Sequence, residues 1–376
     1  MPNNSAQLHR RVAQNLRNEE NKVKSLRSFV GFDGFVDQII RVVDQRQSPH
    51  QYSTIPTIGN FAKRIEKAAG KSTNIELAVQ RIKLGGNGPI VANALANLGT
   101  QTACFGNLGS PNLHAVFQDL ANKAQVFSVA EPALTLALEF DDGKIMMGQT
   151  ETLQEVTYEN LMAQIGAEVF NQYWQQSHLI SINNWTMLVP MTDLWRSILQ
   201  NHCDAQVLQR QHILFFDLAD PEKRTRDDLI DGLETLARFT PYFQVMLGCN
   251  EKESNEISNA LHLQTGDHSK NDLQERAQRI CQRLQIDGVV IHPVKYAVAA
   301  NAAGTACVDG PYIANPLIST GAGDHFTAGF CLASALQFDL QEALLTGVAT
   351  SGYYVRHAAS PSVPELADFI DRWPVS

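Results

Sequence analysis

No stretch of about 18 consecutive apolar residues occurs in this chain, so nothing in it reads as a membrane-spanning helix. Basic charge is not in excess either. There are 30 Lys and Arg against 39 Asp and Glu, for a formal charge of −9. Basic pairs occur at Arg10-Arg11 and Lys223-Arg224, but acidic residues surround them and no basic run develops. This argues against nucleic acid or an anionic membrane as the main partner. The six cysteines (Cys104, Cys203, Cys249, Cys281, Cys307, Cys331) form no Cys-x-x-Cys pair and no zinc-ligand spacing. They point to reduced thiols in a cytoplasmic protein. The segment 5–24 is polar, helical in pattern, and without the apolar core of a secretory signal. Internal repeats and low-complexity linkers are absent.

What is present is an apolar fraction of 44% in 376 residues, enough for one large α/β domain with an insertion or for two average domains. Short apolar runs recur at 28–32, 102–105, 178–182, 212–216, 243–247 and 288–291. Helical patterns such as 191–199, 226–239 and 273–284 lie between them. Buried parallel strands with crossover helices produce that alternation, so the expected fold is α/β, a doubly wound and mainly parallel sheet flanked by helices. Two regions break the rhythm. In 76–84, Gln80, Ile82 and Leu84 fall on one face and Arg81 and Lys83 on the other. In 133–148, Asp141-Asp142-Gly143 is a hairpin signal. With 36–43 these segments are expected to form a small, half-exposed antiparallel β lid. The expected organisation is an N-terminal helical extension over 1–28 and one domain over 29–376 that includes the lid strands.

The most informative stretch is Ser319-Thr320-Gly321-Ala322-Gly323-Asp324, which runs into a helix rich in small residues. The backbone N–H groups of Gly321, Ala322 and Gly323 at a helix N-terminus offer unsatisfied donors and a positive dipole end to a phosphoryl group. Asp324 beside them suits a general base taking the proton of an attacking hydroxyl. A capped helix with a Gly-rich entry and an Asp in its first turn explains the same residues. A second glycine motif, Gly85-Gly86-Asn87-Gly88-Pro89-Ile90, also leads into a small-residue helix. It lacks the G-x-G-x-x-G spacing of a dinucleotide site. Gly85 and Gly86 are expected to let a polyol approach the backbone, with the Asn87 side chain bonding a hydroxyl.

Together, Gly-Gly-Asn…Ala-x-x-Leu-Gly and Ser-Thr-Gly-Ala-Gly-Asp resemble the two signatures of the ribokinase-like (PfkB) carbohydrate kinases, from about residue 29 to the end. Asn250-x-x-Glu253 falls in register with them. The resemblance implies a Mg²⁺-dependent kinase moving the γ-phosphate of ATP to a hydroxyl of a sugar or sugar-like alcohol. Asp324 would be the base and the Gly321–Gly323 turn the anion hole. It further implies that Glu253 holds the metal through water, with Asn250 organising magnesium and phosphate waters. Asp37 would grip sugar hydroxyls from the lid, with Asp33 assisting or serving as a turn residue. Asn184, or its neighbour Asn183, would be another substrate contact or a helix cap. Thr320 belongs with the phosphate-binding residues. Where the family places a glycine-rich phosphate loop, this chain reads His292-Pro293-Val294-Lys295, and Lys295 is either a phosphate contact or a solvated lysine. Ile90 and Phe35 replace asparagines of some members, which is expected to make the pocket more apolar. The adenine pocket is expected between 308–315 and the helix around 350–354. A nucleoside kinase, an ADP-dependent sugar kinase and a non-catalytic sensor share this resemblance, and a homodimer paired through its lids is compatible with it.

Overall fold

The computed structural model describes residues 2–203 and 210–373. The strands among them are, in chain order, β1 (Arg27–Phe32), β2 (Phe35–Ser48), β3 (Gln51–Thr54), β4 (Leu77–Gly85), β5 (Gln101–Gly106), β6 (Gln125–Ser128) and β7 (Ala133–Phe140). Then follow β8 (Gly143–Gln149), β9 (Leu179–Asn183), β10 (Ile213–Asp217), β11 (Gln244–Cys249), β12 (Gly288–Ile291), β13 (Tyr296–Asn301) and β14 (Gly304–Asp309). Nine of them form the main sheet, in the order β14-β13-β12-β11-β10-β9-β1-β5-β6. All pairs from β12 to β6 are parallel, and β13 and β14 add an antiparallel edge. The six apolar runs are all in this sheet, as the doubly wound reading requires.

Those runs are apolar throughout because helices cover both faces of the sheet. On one face Phe29, Phe105, Trp174, Trp195 and Phe216 pack under helices that include Met191–His202 and Arg226–Ala237. On the other, Val30, Phe215 and Val290 pack under helices Asn87–Leu98, Ala322–Ala335 and Leu340–His357. Each such large side chain, fully buried, contributes roughly 1.5–3 kcal/mol. The N-terminal helix Pro2–Asn18 joins the second cluster through Val12, Ala13 and Leu16. Its Arg17 pairs with Asp368 and Asp371 near the chain's end. The small residues of Ala322–Ala335 allow a close approach to Leu340–His357: a Cβ at Gly329 would stand 2.2 Å from Thr350 Oγ1.

The remaining five strands form the lid, in the order β3-β2-β7-β8 with β4 also on β2. Its pairs are antiparallel except β2 with β7, which is parallel. Register puts Asp37 opposite Lys83 and Thr135, Ile39 opposite Arg81, and Glu139 opposite Lys144. These side chains therefore share one face. The other face is covered in part. Ile40, Val42, Leu138 and Phe140 pack there with Ile55 and with Phe61 from helix Ile58–Glu66. Phe35, expected near the pocket, is instead in the main core.

No helix among the described residues is long and apolar enough to cross a membrane. All six cysteines are free thiols.

Candidate active site

The chain passes from β1 to β5 on one side and later to β9 on the other, so the sheet changes direction at β1. In such sheets the crevice beyond the strands' carboxyl ends collects ligands. Asp33 follows β1, Asn184 follows β9, Asp217 ends β10, and Asn250 follows β11. Helices Asn87–Leu98 and Ala322–Ala335 begin at the same end.

The turn before Ala322–Ala335 is built around Gly321, whose φ of 92° is left-handed and favours glycine. A Cβ there would meet Ile90 Cγ2 and the Tyr354 hydroxyl, each at 3.3 Å. Ile90 thus supports the turn. Ala322 N–H donates to Ser319 O at 3.2 Å. The three backbone donors expected here are reduced to two, because Gly321 and Gly323 N–H have no acceptor among the described residues. The carbonyls of the turn are held on its other side. Tyr354 donates its hydroxyl to Thr320 O at 3.0 Å. His325 Nδ1 lies 2.7 Å from Gly321 O and Nε2 2.8 Å from Ser360 Oγ. A carbonyl only accepts, so Nδ1 carries the proton. Burial pushes this imidazole down to about 4, and it stacks on Tyr354 with centroids 3.6 Å apart.

Asp324, in the first helical turn, is buried. Its Oδ1 accepts from Asn87 Nδ2 at 2.9 Å. Burial raises its carboxyl to about 7, opposed by the Asn87 bond and assisted by the negative charge of Asp33. The Asn87 side chain, expected on a sugar hydroxyl, gives one N–H to the base; its other N–H and its carbonyl oxygen remain for a ligand.

Asp33 turns out to be a cap. Helix Asn87–Leu98 starts after Gly86, which has no side chain to satisfy the first N–H groups. Asp33 supplies the acceptors from 54 residues away: Oδ2 takes Asn87 N–H at 2.9 Å and Oδ1 takes Gly88 N–H at 2.7 Å. Asn184 Nδ2 adds a third bond at 2.8 Å. Burial nevertheless lifts Asp33 to about 6. Asn184 sits at φ 61°, and its Oδ1 is buried with no protein partner. Asn183 turns inward to Ser181, so of the two Asn184 faces the site.

Asp37 lies buried on the inner face of the lid, with Lys83 Nζ 4.0 Å away. Burial raises its carboxyl; Lys83 and a bond from Thr135 oppose the rise. At Gly85 a Cβ would stand 2.3 Å from Asp37 Oδ1, so the missing side chain makes room for this carboxylate. Gly86, at φ 93°, makes the sharp entry to the helix.

Asn250 and Glu253 form a capping box at helix Glu251–Ala260. Glu253 Oε2 accepts Asn250 N–H and Oε1 accepts Asp220 N–H, both at 2.8 Å. Each oxygen keeps a lone pair. Burial raises Glu253, and burial with the nearby charges of Glu253 and Asp324 holds Asp217 well above the usual carboxylate range. Asp217 was not singled out from the sequence. It is one aspartate among many until β10 places it against Glu253. A separate trio, Asp220, Glu222 and Glu256, has metal-ligand spacing. Its centre is taken by the Lys252 ammonium, 2.8, 2.6 and 3.5 Å from the three carboxylates.

A cavity of about 380 Å³ runs from Ala322 and Gly323 between the 310–313 loop and Val348, Gly352 and Val355. This is the region expected to hold adenine. Lys295 does not line it; its ammonium lies 5.0 Å from the ring of Tyr312, which does, and not on the Gly321 turn. Thr320 accepts a hydrogen bond from Lys144 of the lid.

The family model for prokaryotic ketohexokinase matches residues 5–373. The chain belongs to the prokaryotic ketohexokinase family. It is a carbohydrate kinase. A ketohexokinase of Haloferax volcanii is 26% identical over 350 residues, covering 93% of this chain and 92% of that one. Among solved structures, Arabidopsis thaliana ribokinase complexed with ribose and ATP superposes with a TM-score of 0.61 at 13% identity, over 92% of this chain and 98% of that one. Phosphofructokinase-2 from Escherichia coli gives 0.58 at 14% identity, over 93% and 99%. At such identities these structures share the fold, and the ketohexokinase family carries the chemistry.

Proposed function

We propose that this chain transfers the γ-phosphoryl group of ATP to a hydroxyl of a ketohexose, with Asp324 as general base. The observation that carries this reading is the Asn87–Asp324 hydrogen bond beside the Gly321 turn. It holds a buried carboxylate with an affinity for protons near neutrality where a helix N-terminus presents open N–H groups. A sugar hydroxyl is a poor nucleophile, and a base whose pKa is near the working pH serves it best. The nucleotide would lie in the 380 Å³ cavity with its phosphates toward Gly323. Asp37 and the free oxygens of Asn87 and Asn184 would hold acceptor hydroxyls. Asp33 orients Asn87 and Asn184 from behind.

The buried carboxylates of Glu253 and Asp217, which repel one another, fit a divalent cation; they would hold Mg²⁺, which would supply neutralisation of phosphate charge. Glu253 and Asn250 keep the shape of the loop there through their capping box. Five exposed apolar side chains, Leu77, Val79, Ile82, Met146 and Met147, lie on β4 and β8 of the lid. We assign them to pairing with a second copy of the chain in a cytoplasmic enzyme. The test is a matrix of ATP, ADP and GTP against ketohexoses, aldohexoses, pentoses, phosphosugars and nucleosides, scored by product. ATP with a ketohexose should give the highest kcat/KM; a nucleoside or ADP maximum would replace the substrate assignment.

A further inference from the structure

Three cations face the active site from the lid of a chain whose total charge is −9. Arg81, Lys83 and Lys144 share the inner face with Asp37 and Glu139. Lys83 and Asp37 offset one another at 4.0 Å. Lys144 differs. Among the described residues the Lys144 ammonium is in no ion pair, and it donates to a neutral hydroxyl, Thr320 Oγ1. Thr320 immediately precedes Gly321, so a lysine on the lid hairpin reaches over the cleft to the turn that presents Gly321 and Gly323 N–H.

Of the N–H groups of Gly321, Ala322 and Gly323, one is turned to the protein. A phosphoryl group in transfer spreads its charge over three equatorial oxygens. Gly321 and Gly323 offer two open N–H groups, while Ala322 N–H is spent on Ser319 O. A lysine is a point charge on a flexible stem, and little is lost when it exchanges a neutral hydroxyl for an anion.

We propose that Lys144 is a catalytic residue, supplying from the lid a cationic donor to the γ-phosphoryl oxygens. This rests on the kinase reading of the Gly321 turn. As the bond from the γ-phosphorus to the bridging oxygen breaks and that to the acceptor oxygen forms, the hydroxyl proton goes to Asp324. Lys144 keeps its own protons and only neutralises charge.

The experiment compares wild type, Lys144→Met and Lys144→Arg with ATP, using a neutral ketohexose and, separately, a phosphorylated one. Lys144 is exposed, so folding should be unaffected, and thermal midpoints verify this. The expected result for Lys144→Met is a fall in kcat of roughly 10²-fold, the usual worth of one such donor. The KM for the neutral ketohexose should stay within about threefold, and Lys144→Arg should recover most of the loss. Two results overturn the proposal: kcat of Lys144→Met near wild type, or a raised KM confined to the phosphorylated acceptor, which would make Lys144 an acceptor anchor. A wild type that phosphorylates no sugar would overturn the kinase reading itself.

Discussion

Asn87 Nδ2 donates to Asp324 Oδ1 at 2.9 Å, joining the first turns of two helices 237 residues apart. One hydrogen bond thus fixes both the orientation and the proton affinity of the proposed base. Burial drives the carboxyl up and Asn87 brings it part of the way back.

The pH dependence follows. Asp324 accepts a proton only when ionised, so kcat/KM for the ketohexose should rise through about 7 and level off above it. Asn87→Ala removes a bond that favours the ionised form, so the rising limb should move upward by about one unit. Profiles of both proteins in one buffer series check this; superimposable limbs would mean that another group controls the rate.

Glu253→Gln should raise the Mg²⁺ concentration needed for half-maximal rate and leave the ketohexose KM nearly unchanged. Glutamine's NH₂ cannot accept, so one of the two bonds to Asp220 and Asn250 N–H is lost as well. A stability loss of about 1 kcal/mol should accompany the shift. A magnesium titration with a denaturant melt separates the effects. An unmoved magnesium curve beside a lowered melt would leave Glu253 with its capping role alone.

Asp37→Ala should weaken acceptor binding and raise nucleotide hydrolysis relative to transfer, because it removes a lid carboxylate and leaves Lys83 without its partner. Lid closure excludes water that competes for the phosphoryl group. Hydrogen exchange with and without ketohexose should show added protection in β2, β4 and the β7–β8 hairpin of the wild type. Equal protection in both conditions, with normal acceptor KM in the mutant, would contradict a closing lid.

What could be read from the sequence tracks how local each signal is. The main-sheet strands announce themselves as short apolar runs because both faces of that sheet are covered. Strands β6, β13 and β14 do not: β6 is only Gln125–Ser128 at the sheet edge, and Ala297, Ala299, Ala300 and Ala306 give the last two no β-branched pattern. The parallel pairing of β2 with β7 depends on residues almost a hundred positions apart. At the site, Gly-Ala-Gly-Asp showed the turn and the carboxylate together. Sequence could not show that Asp33 caps a helix beginning at Asn87, or that Gly85 is small to admit Asp37. Both are contacts between segments with no shared pattern. Asp217 and Lys144 were missed for the same reason. Lys144 did follow a visible hairpin signal, and Arg81 and Lys83 already marked one face of the lid strand as cationic.

Asp324→Asn tests the central claim most directly, through turnover and stability measured on the same preparation. The folded-state pKa of about 7 lies above the unfolded 3.8. The native state therefore holds a proton that the unfolded chain has released, and the stabilisation is complete below 3.8 and lost as pH rises through about 7. At about pH 8 the buried charge costs stability that asparagine does not pay, so the mutant should be more stable by roughly 1–3 kcal/mol, a gap that narrows toward acid. Ketohexose phosphorylation should fall by roughly two to four orders of magnitude. Turnover within about tenfold of wild type in a mutant that melts no higher at alkaline pH would contradict both the burial of Asp324 and its role as the base.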